Sequence, residues 1–388
     1  MQFALFLCLA LVVVTQASLY SDCDKNFNSF MTKFHRKYKT QEEQDTRRSV
    51  FCGNMKEADR LNTVNGAVSF GVTKFSDRTH EEYSVLLGRK NSGKFTRTPR
   101  PVRTPNFDGV TKYQADAVLV DWTASGMVTP VKNQGQCGSC WAHSVTEQIE
   151  SEWLAAGNAM WEFSVQQVTS CTTTEYGCGG GETAAGYEYI MSIAAGEGLG
   201  SASWGPYVQS MTTECTGTSC TEGCSDLDLN ILDTEVALTG PMVTVVGYDY
   251  ATPSCYSGKC SSQNVTLLAQ NIATQGPASI CVNAAKWNSY VGGVMTEAAC
   301  GGMAAGNIDH CVQLTGYNAA PLDGSAPYWI VRNSWATDWG VNGYIYLQFD
   351  VNTCGLANEA TFVTLGTDAY NGNNGMPEDS AAIKAKSA

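Results

Sequence analysis

Apolar side chains follow four patterns along the chain, and each predicts a different kind of segment. Residues 1 to about 17 form an uncharged apolar run (Phe3, Leu5, Phe6, Leu7, Leu9, Leu11, Val12, Val13, Val14) that ends in Thr15-Gln16-Ala17. It is short for a bilayer span and ends in small residues, so a cleaved secretory leader is expected, although a basic start is missing. From residue 22 to about 90, Phe27, Phe30, Phe34 and Tyr38 recur at helical spacing and are followed by Glu42, Glu43, Arg47, Arg48, Phe51 and Leu61. That period predicts a helical segment. Residues 91–115 lose all periodicity and carry Pro99, Pro101 and Pro105 among Lys94, Arg97, Arg100 and Arg103, which predicts a solvated, protease-sensitive linker. From about 116 to 366 the texture changes to Gly, Cys, Trp and Tyr. Within it, residues 309–314 read as the start of a strand and residues 328–332 as an apolar strand. The last stretch, 367–388, is polar and rich in Gly, Asn and Ala, and is expected to be disordered.

Composition narrows the function classes. At 388 residues, two to three units are expected, and 43% hydrophobic residues suffice for a real core. The formal net charge of −13 argues against nucleic acid, whose phosphates need basic stripes. It suits an acidic or extracellular compartment. No second segment is apolar enough to span a membrane. Sixteen cysteines in a secretory chain imply disulfides. Asn264-Val265-Thr266 is a candidate glycosylation site.

The chemistry concentrates in Gln134–Trp141, Q-G-Q-C-G-S-C-W. Cys140 follows a small-residue turn and opens a stretch that can be helical. A thiol at a helix N-terminus feels the positive end of the backbone dipole, which favours the nucleophilic thiolate. The Gln134 amide, six residues earlier, can donate to a developing oxyanion. A cysteine nucleophile needs a base, and the base needs an orienting group. Of the four histidines, His35 and His80 precede the linker. His143 lies one turn beyond Cys140 on the same helix, a poor approach to the sulfur, and reads as a packed core residue. His310, at a strand start, is the candidate base. Asn333, after the strand 328–332, would accept from the imidazole, and Trp335 would shield that bond from water.

With these residues in hand, the chain resembles the papain-like cysteine proteases from its leader to about residue 366. The matching strings are V-D-W (120–122), T-P-V-K-N-Q-G-Q-C-G-S-C-W-A (129–142), G-C-G-G-G (177–181), G-P-A-S-I (276–280), D-H (309–310), N-S-W-A-T-D-W-G-V-N-G-Y (333–344) and C-G-L (354–356). Glu43, Arg47, Phe51, Asn54 and Asn62, with Ala58 where isoleucine is usual, fall at the spacing of the family's inhibitory pro-helix. Gly71, Thr73, Phe75 and Asp77 match a second pro-motif. The resemblance implies an α+β, two-subdomain fold, one helical and the other an antiparallel β-barrel, behind a helical prodomain. It implies a signal peptide (1–17), an inhibitory prodomain and linker (18–115) removed near Asp116, a peptidase domain (116–366) and a tail (367–388). It further implies a Cys140–His310 thiolate–imidazolium pair and a thioester acyl-enzyme, with an oxyanion held by Gln134 and the Cys140 N–H. Gly180 and Gly181 would pair with the substrate backbone, and Glu182, Cys281, Asp309, Trp335 and Glu359 would join them in substrate binding. The family's bridges map to Cys137–Cys178, Cys171–Cys215 and Cys300–Cys354.

Departures from the family pattern carry the specificity. The distance from Cys140 to His310 exceeds the usual offset of about 130–150 residues. Much of the excess lies between Cys215 and Gly276, in a stretch that holds Cys220, Cys224, Cys255 and Cys260. These thiols suit extra disulfides in a secreted chain better than a zinc site, and neither metal nor cofactor is expected. Relatives that trim C-terminal dipeptides hold the terminal carboxylate with histidines in a loop. This insertion has none, and its charges (Glu222, Asp226, Asp228, Asp233, Glu235, Asp249 against Lys259) would repel a carboxylate, so an endopeptidase is expected. Glu359, five residues after Cys354, falls where the family sets the pocket for the side chain two residues before the scissile bond. With Glu182 it would admit arginine, unless both acids point to solvent. Cys281 and Cys311 map near this pocket and are expected to stay free as small buried hydrophobes, the alternative being a bridge beside His310. The expected protein is a monomeric endopeptidase of the secretory pathway, lysosomal, vacuolar or extracellular. It would act on proteins or peptides, with its own prodomain as inhibitor. An exopeptidase on the same fold and a non-catalytic protease-like binding protein are the rival readings.

Overall fold

The computed structural model describes residues 18–90, 93, 95–105, 118–193, 198–203, 205–208 and 240–367. The leader, the expected processing point near Asp116, most of the acidic insertion with Cys215, Cys220 and Cys224, and the tail lie outside the described residues.

The N-terminal unit is built on two helices, α1 (Cys23–Lys33) and α2 (Gln41–Val64). The aromatic spacing that predicted them packs as expected: Phe27, Phe30, Phe51 and Met55 form a small closed core. Cys23 and Cys52 bridge the two helices. Thr40 caps α2 by accepting from the Glu43 N–H, and Glu42 and Glu43 sit favourably at the positive end of its dipole. The helix stops earlier than the periodicity suggested. Asn62 Nδ2 donates to the Phe70 carbonyl and its Oδ1 accepts the Phe70 N–H, both at 2.8 Å. This folds the chain back as strand β1 (Val68–Phe70). Asn54 Nδ2 donates to the carbonyls of Ser76 and Arg78, and Arg47 forms a two-pronged pair with Glu82 at the start of α3 (His80–Ser84). The polar spacing along α2 thus clamps the loop that follows it.

In the C-terminal unit, α4 (Cys140–Ala155) is almost wholly buried, and it packs on helices α5 (Val165–Cys171) and α6 (Thr183–Ser192). One apolar cluster gathers around it, with Trp141, Val145, Ile149 and Trp153. The second cluster fills the sheet side. Strands β3 (Leu199–Gly200) and β4 (Met242–Val243) pair by themselves, and on the sheet side β5 (Val245–Tyr250), β6 (Ala278–Val282), β7 (Tyr290–Met295), β8 (His310–Asn318), β9 (Tyr328–Arg332), β10 (Tyr344–Gln348) and β11 (Thr361–Leu365) form one sheet. Its order is β1-β7-β10-β9-β8-β6-β11-β5, with β2 (Leu119–Asp121) also paired to β8. The mixed helix-and-sheet class is the expected one. The expected barrel is instead an open sheet among the described residues. Its path ends at β1, contributed by the N-terminal unit, and at β5, and the β7–β10 pair is parallel.

The bridges Cys137–Cys178 and Cys300–Cys354 are present, Cys171 is disulfide-bonded, and Cys255 pairs with Cys260. The expectation that Cys281 and Cys311 stay free is corrected: they are directly opposed across β6 and β8 and form a disulfide. Strand register, invisible in sequence, puts their Cα atoms 4.0 Å apart. Cys140 is the one free cysteine among the described residues. The linker is also not simply solvated. Residues 95–105 lie along the C-terminal unit, where Val102 pairs with Tyr250 of β5.

Candidate active site

Cys140 begins α4, so its sulfur sits where the helix N-terminus offers unpaired N–H groups. His310 begins β8, which packs against α4. His310 Nε2 bonds Asn333 Oδ1 at 2.8 Å, and the same oxygen accepts the Ser334 N–H. Trp335 lies over the imidazole at 4.9 Å between ring centres, and Trp287 meets its edge. His310 Nδ1 is buried with no hydrogen-bond partner. Gln134 is held from behind, its Oε1 accepting from Ser334 Oγ and Trp335 Nε1, so that Nε2 is aimed forward. His143, as expected, is a core residue. It bonds its own helix at Ser139 O, meets Tyr207 edge-on, and is pushed down to about 3 by burial.

The N-terminal unit runs through this site. Tyr83 and Phe75 pack edge-on against Trp335. Beyond α3 the chain passes directly over Cys140. The Leu86 carbonyl accepts from Gln134 Nε2 at 2.9 Å. Gly181 N–H donates to the Gly88 carbonyl at 2.8 Å, and Lys90 N–H donates to Gly181 O at 3.2 Å. Arg89 pairs with Gly181 in parallel orientation, and its N–H donates to Asp309 O. Gly88 has to be glycine, because a Cβ there would lie 1.8 Å from the Gly138 carbonyl oxygen. Gly180, at φ 115°, is likewise free of a side chain where the Gly88 carbonyl passes.

This cover sets the electrostatics. Burial pushes the Cys140 thiol up to about 12, partly offset by the N–H groups of Cys311, Gly88 and Trp141 directed at the sulfur. Burial also pushes His310 down to about 4, against the Asn333 bond, and raises Asp309 to about 7. With the cover in place, thiol and imidazole are therefore both neutral at neutral pH.

Glu182 and Glu359 are buried, 2% and 4% exposed, rather than turned to solvent. Arg89 pairs with Glu359. Arg97 reaches Glu182 at 2.6 Å and Glu359 at 3.6 Å. Cys281 and Cys311 are fully buried as a bridge, next in register to His310. Asn264 is exposed and caps helix α7 (Val265–Gln275) through Oδ1, leaving Nδ2 uncommitted. Sequence reading missed Tyr207, whose hydroxyl donates to the Gln134 carbonyl at 2.9 Å, and Trp287. It also missed residues 86–89, although a glycine between leucines and basic residues was there to be noticed.

Residues 117–364 match the papain family cysteine protease domain. The chain belongs to the papain family of cysteine proteases. Residues 27–83 match the cathepsin propeptide inhibitor domain, so this family member carries its own inhibitor. A cysteine proteinase of Trypanosoma brucei brucei is 33% identical, covering 92% of this chain and 70% of its own length. A digestive cysteine proteinase of Homarus americanus is 30% identical over 88% of this chain and 94% of its own. Among solved structures, the digestive procathepsin L2 of Tenebrio molitor larval midgut superposes with a TM-score of 0.67 at 26% identity, covering 88% of this chain and 99% of its own. The precursor of stem bromelain gives 0.66 at 26% identity, covering 89% and 99%. The protein is thus a peptide hydrolase of papain type, with the prodomain in its cleft.

Proposed function

We propose that Cys140 is the nucleophile, His310 its base, Asn333 the group that orients the base, and Gln134 with the Cys140 N–H the oxyanion site of an endopeptidase. His310 Nδ1 takes the thiol proton, and the thiolate attacks the scissile carbonyl. Its oxygen becomes the oxyanion on Gln134 Nε2. His310 returns the proton to the leaving amine, and water then hydrolyses the thioester with His310 again as base. The observation that carries this reading is the Leu86 carbonyl on Gln134 Nε2: a peptide carbonyl already occupies the position the oxyanion needs. Replacing Gln134 with alanine is expected to lower kcat by about 10²–10³. Steady-state kinetics on a Phe-Arg fluorogenic peptide after acid processing checks it, and an unchanged kcat rules out this oxyanion site.

The prodomain supports the specificity reading as well. Its Arg89 enters the Glu359 pocket, so that pocket is read as one that accepts arginine as well as bulky apolar groups two residues before the scissile bond. Burial raises Glu359 above the usual carboxylate range. A carboxyl is charged only above its pKa, so arginine preference falls as pH drops into the acid range. The expected outcome is a lower Arg-Arg to Phe-Arg turnover ratio in Glu359→Ala at neutral pH and no further loss on acidification. An unchanged ratio sinks the pocket assignment. Release of C-terminal dipeptides as the main product would decide for an exopeptidase.

The remaining reading follows the chain's organisation. Residues 18–115 are taken as the removable prodomain and linker, 116–366 as the enzyme, and Asn264 as a glycan site. A cleaved leader, several disulfides and an acid-tolerant charge balance support the secretory pathway, with a lysosomal, vacuolar or extracellular destination. Among the described residues no helix is long and apolar enough to cross a membrane.

A further inference from the structure

The linker arginines lie in a groove that extends beyond the Glu359 pocket. Arg97, Arg100 and Arg103 are spaced by three, with Pro99 and Pro101 between them. In an extended polyproline-like strand, three residues make one turn, so all three guanidinium groups point the same way. Each meets one carboxylate partner set and one aromatic ring. Arg97 pairs with Glu182 and Glu359 and lies 3.5 Å over the Tyr256 ring. Arg100 pairs with Glu188 at 2.5 Å and lies 4.5 Å over Tyr248. Arg103 pairs with Asp249 at 3.3 Å, approaches Glu152 at 3.9 Å, and lies 5.2 Å over Phe362. Pairing a charge with a flat ring suits the planar guanidinium, which can stack on it, better than the ammonium of lysine. The backbone is gripped too. Tyr250 N–H donates to the Pro101 carbonyl at 3.0 Å, Arg103 N–H donates to Tyr250 O at 2.8 Å, and Asn271 Nδ2 donates to Arg103 O at 3.1 Å.

We infer that this groove, on β5 and α6 of the peptidase unit, is an arginine-reading surface of the processed enzyme, and that its occupant there is an extended, proline-containing stretch of a protein substrate with arginine at every third position. Glu188, Asp249, Tyr248 and Tyr250 all belong to the peptidase unit, so they stay when the linker leaves. The carboxylates then lose their counter-ions together and the β5 edge loses its partner, which makes the surface complementary to a basic extended chain. The inference rests on the reading of residues 18–115 as a removable prodomain. It goes beyond the Glu359 pocket, because Glu188 and Asp249 test it apart from Glu359.

The experiment uses the full chain carrying Cys140→Ala, so nothing is cleaved. In a second version Arg97, Arg100 and Arg103 are also replaced by glutamine, which vacates the groove. A fluorescein-labelled peptide of residues 95–104 is titrated into both, followed by anisotropy. Binding at least tenfold tighter to the vacated chain is expected. In that background Glu188→Gln or Asp249→Asn weakens it at least tenfold, and a peptide with lysine for arginine binds correspondingly worse. Equal binding to both chains, or to a peptide with glutamine for arginine, overturns the inference. Should the vacated chain fail to fold, the shorter peptide of residues 99–104 is titrated into the acid-processed wild-type enzyme. Saturable, salt-sensitive binding that is lost in Glu188→Gln supports the groove, and absence of binding overturns it. A Glu359→Ala substitution that leaves the 99–104 peptide bound separates this surface from the specificity pocket.

Discussion

Replacing Cys140 with alanine is expected to abolish peptide hydrolysis, with kcat falling by a factor on the order of 10⁶, because no neighbour can stand in for the sulfur. Every other described cysteine is tied in a disulfide, and the helix N-terminus that would favour a thiolate is occupied by this residue alone. What survives should be the small contribution of the oxyanion site and binding. The measurement is turnover of a Phe-Arg fluorogenic peptide after the prodomain has been removed in trans by an active protease, since the variant cannot process itself. Covalent capture by an epoxide or vinyl-sulfone trap should map to Cys140 in the processed wild type. A variant that retains more than a thousandth of the activity would require a different nucleophile.

The second large effect is expected at Gly88. A methyl group there meets the backbone oxygen of Gly138, which cannot swing aside as a side chain could. The prodomain must lift, and the contacts nearest the sulfur go together: Gly88 O with Gly181 N–H, Leu86 O with Gln134, and the Gly88 N–H on Cys140. At roughly 0.5–1.5 kcal/mol each, their loss amounts to a few kcal/mol, or on the order of a hundredfold more open precursor. Gly88→Ala precursor should therefore be labelled at Cys140 about a hundredfold faster than wild type, before any processing is visible on a gel. The wild-type precursor should resist labelling across neutral pH, because its covered thiol is neutral below about 12. Gly53→Ala is the control. It lies on α2 with open space around its Cα, and should leave latency intact. Equal labelling of Gly88→Ala and wild type would mean that latency lies elsewhere in the prodomain.

How much of this was legible in the sequence depends on the range of the interaction. The residues of the α2 clamp, Arg47, Asn54 and Asn62, were legible only through the resemblance to the family's pro-helix, and the loop they bond, 8 to 35 residues downstream, was not. Cys140 at a helix start and His310 at a strand start were readable because each lies at a local change of period. The Cys281–Cys311 bridge was not, since it depends on the register of β6 against β8, and a shift of one residue would have separated the two sulfurs. The open sheet was hidden for the same reason: closure is a property of strand order, not of any strand. The linker misled most. Proline and arginine in sequence spell a solvated spacer, and only the facing acids and aromatic rings, all distant in sequence, turn those arginines inward.

The sheet order has one more consequence. The segments that cap it, β1 at one end and Val102 of the linker beside Tyr250 of β5 at the other, both belong to the part of the chain proposed above as the removable prodomain and linker. On that reading, maturation frees the row of backbone groups on β7 that β1 holds, together with those of Tyr250 on β5 that the linker holds. Such rows are templates for association with another chain. The precursor is then the form protected against such edge-to-edge association, and the processed enzyme the form exposed to it.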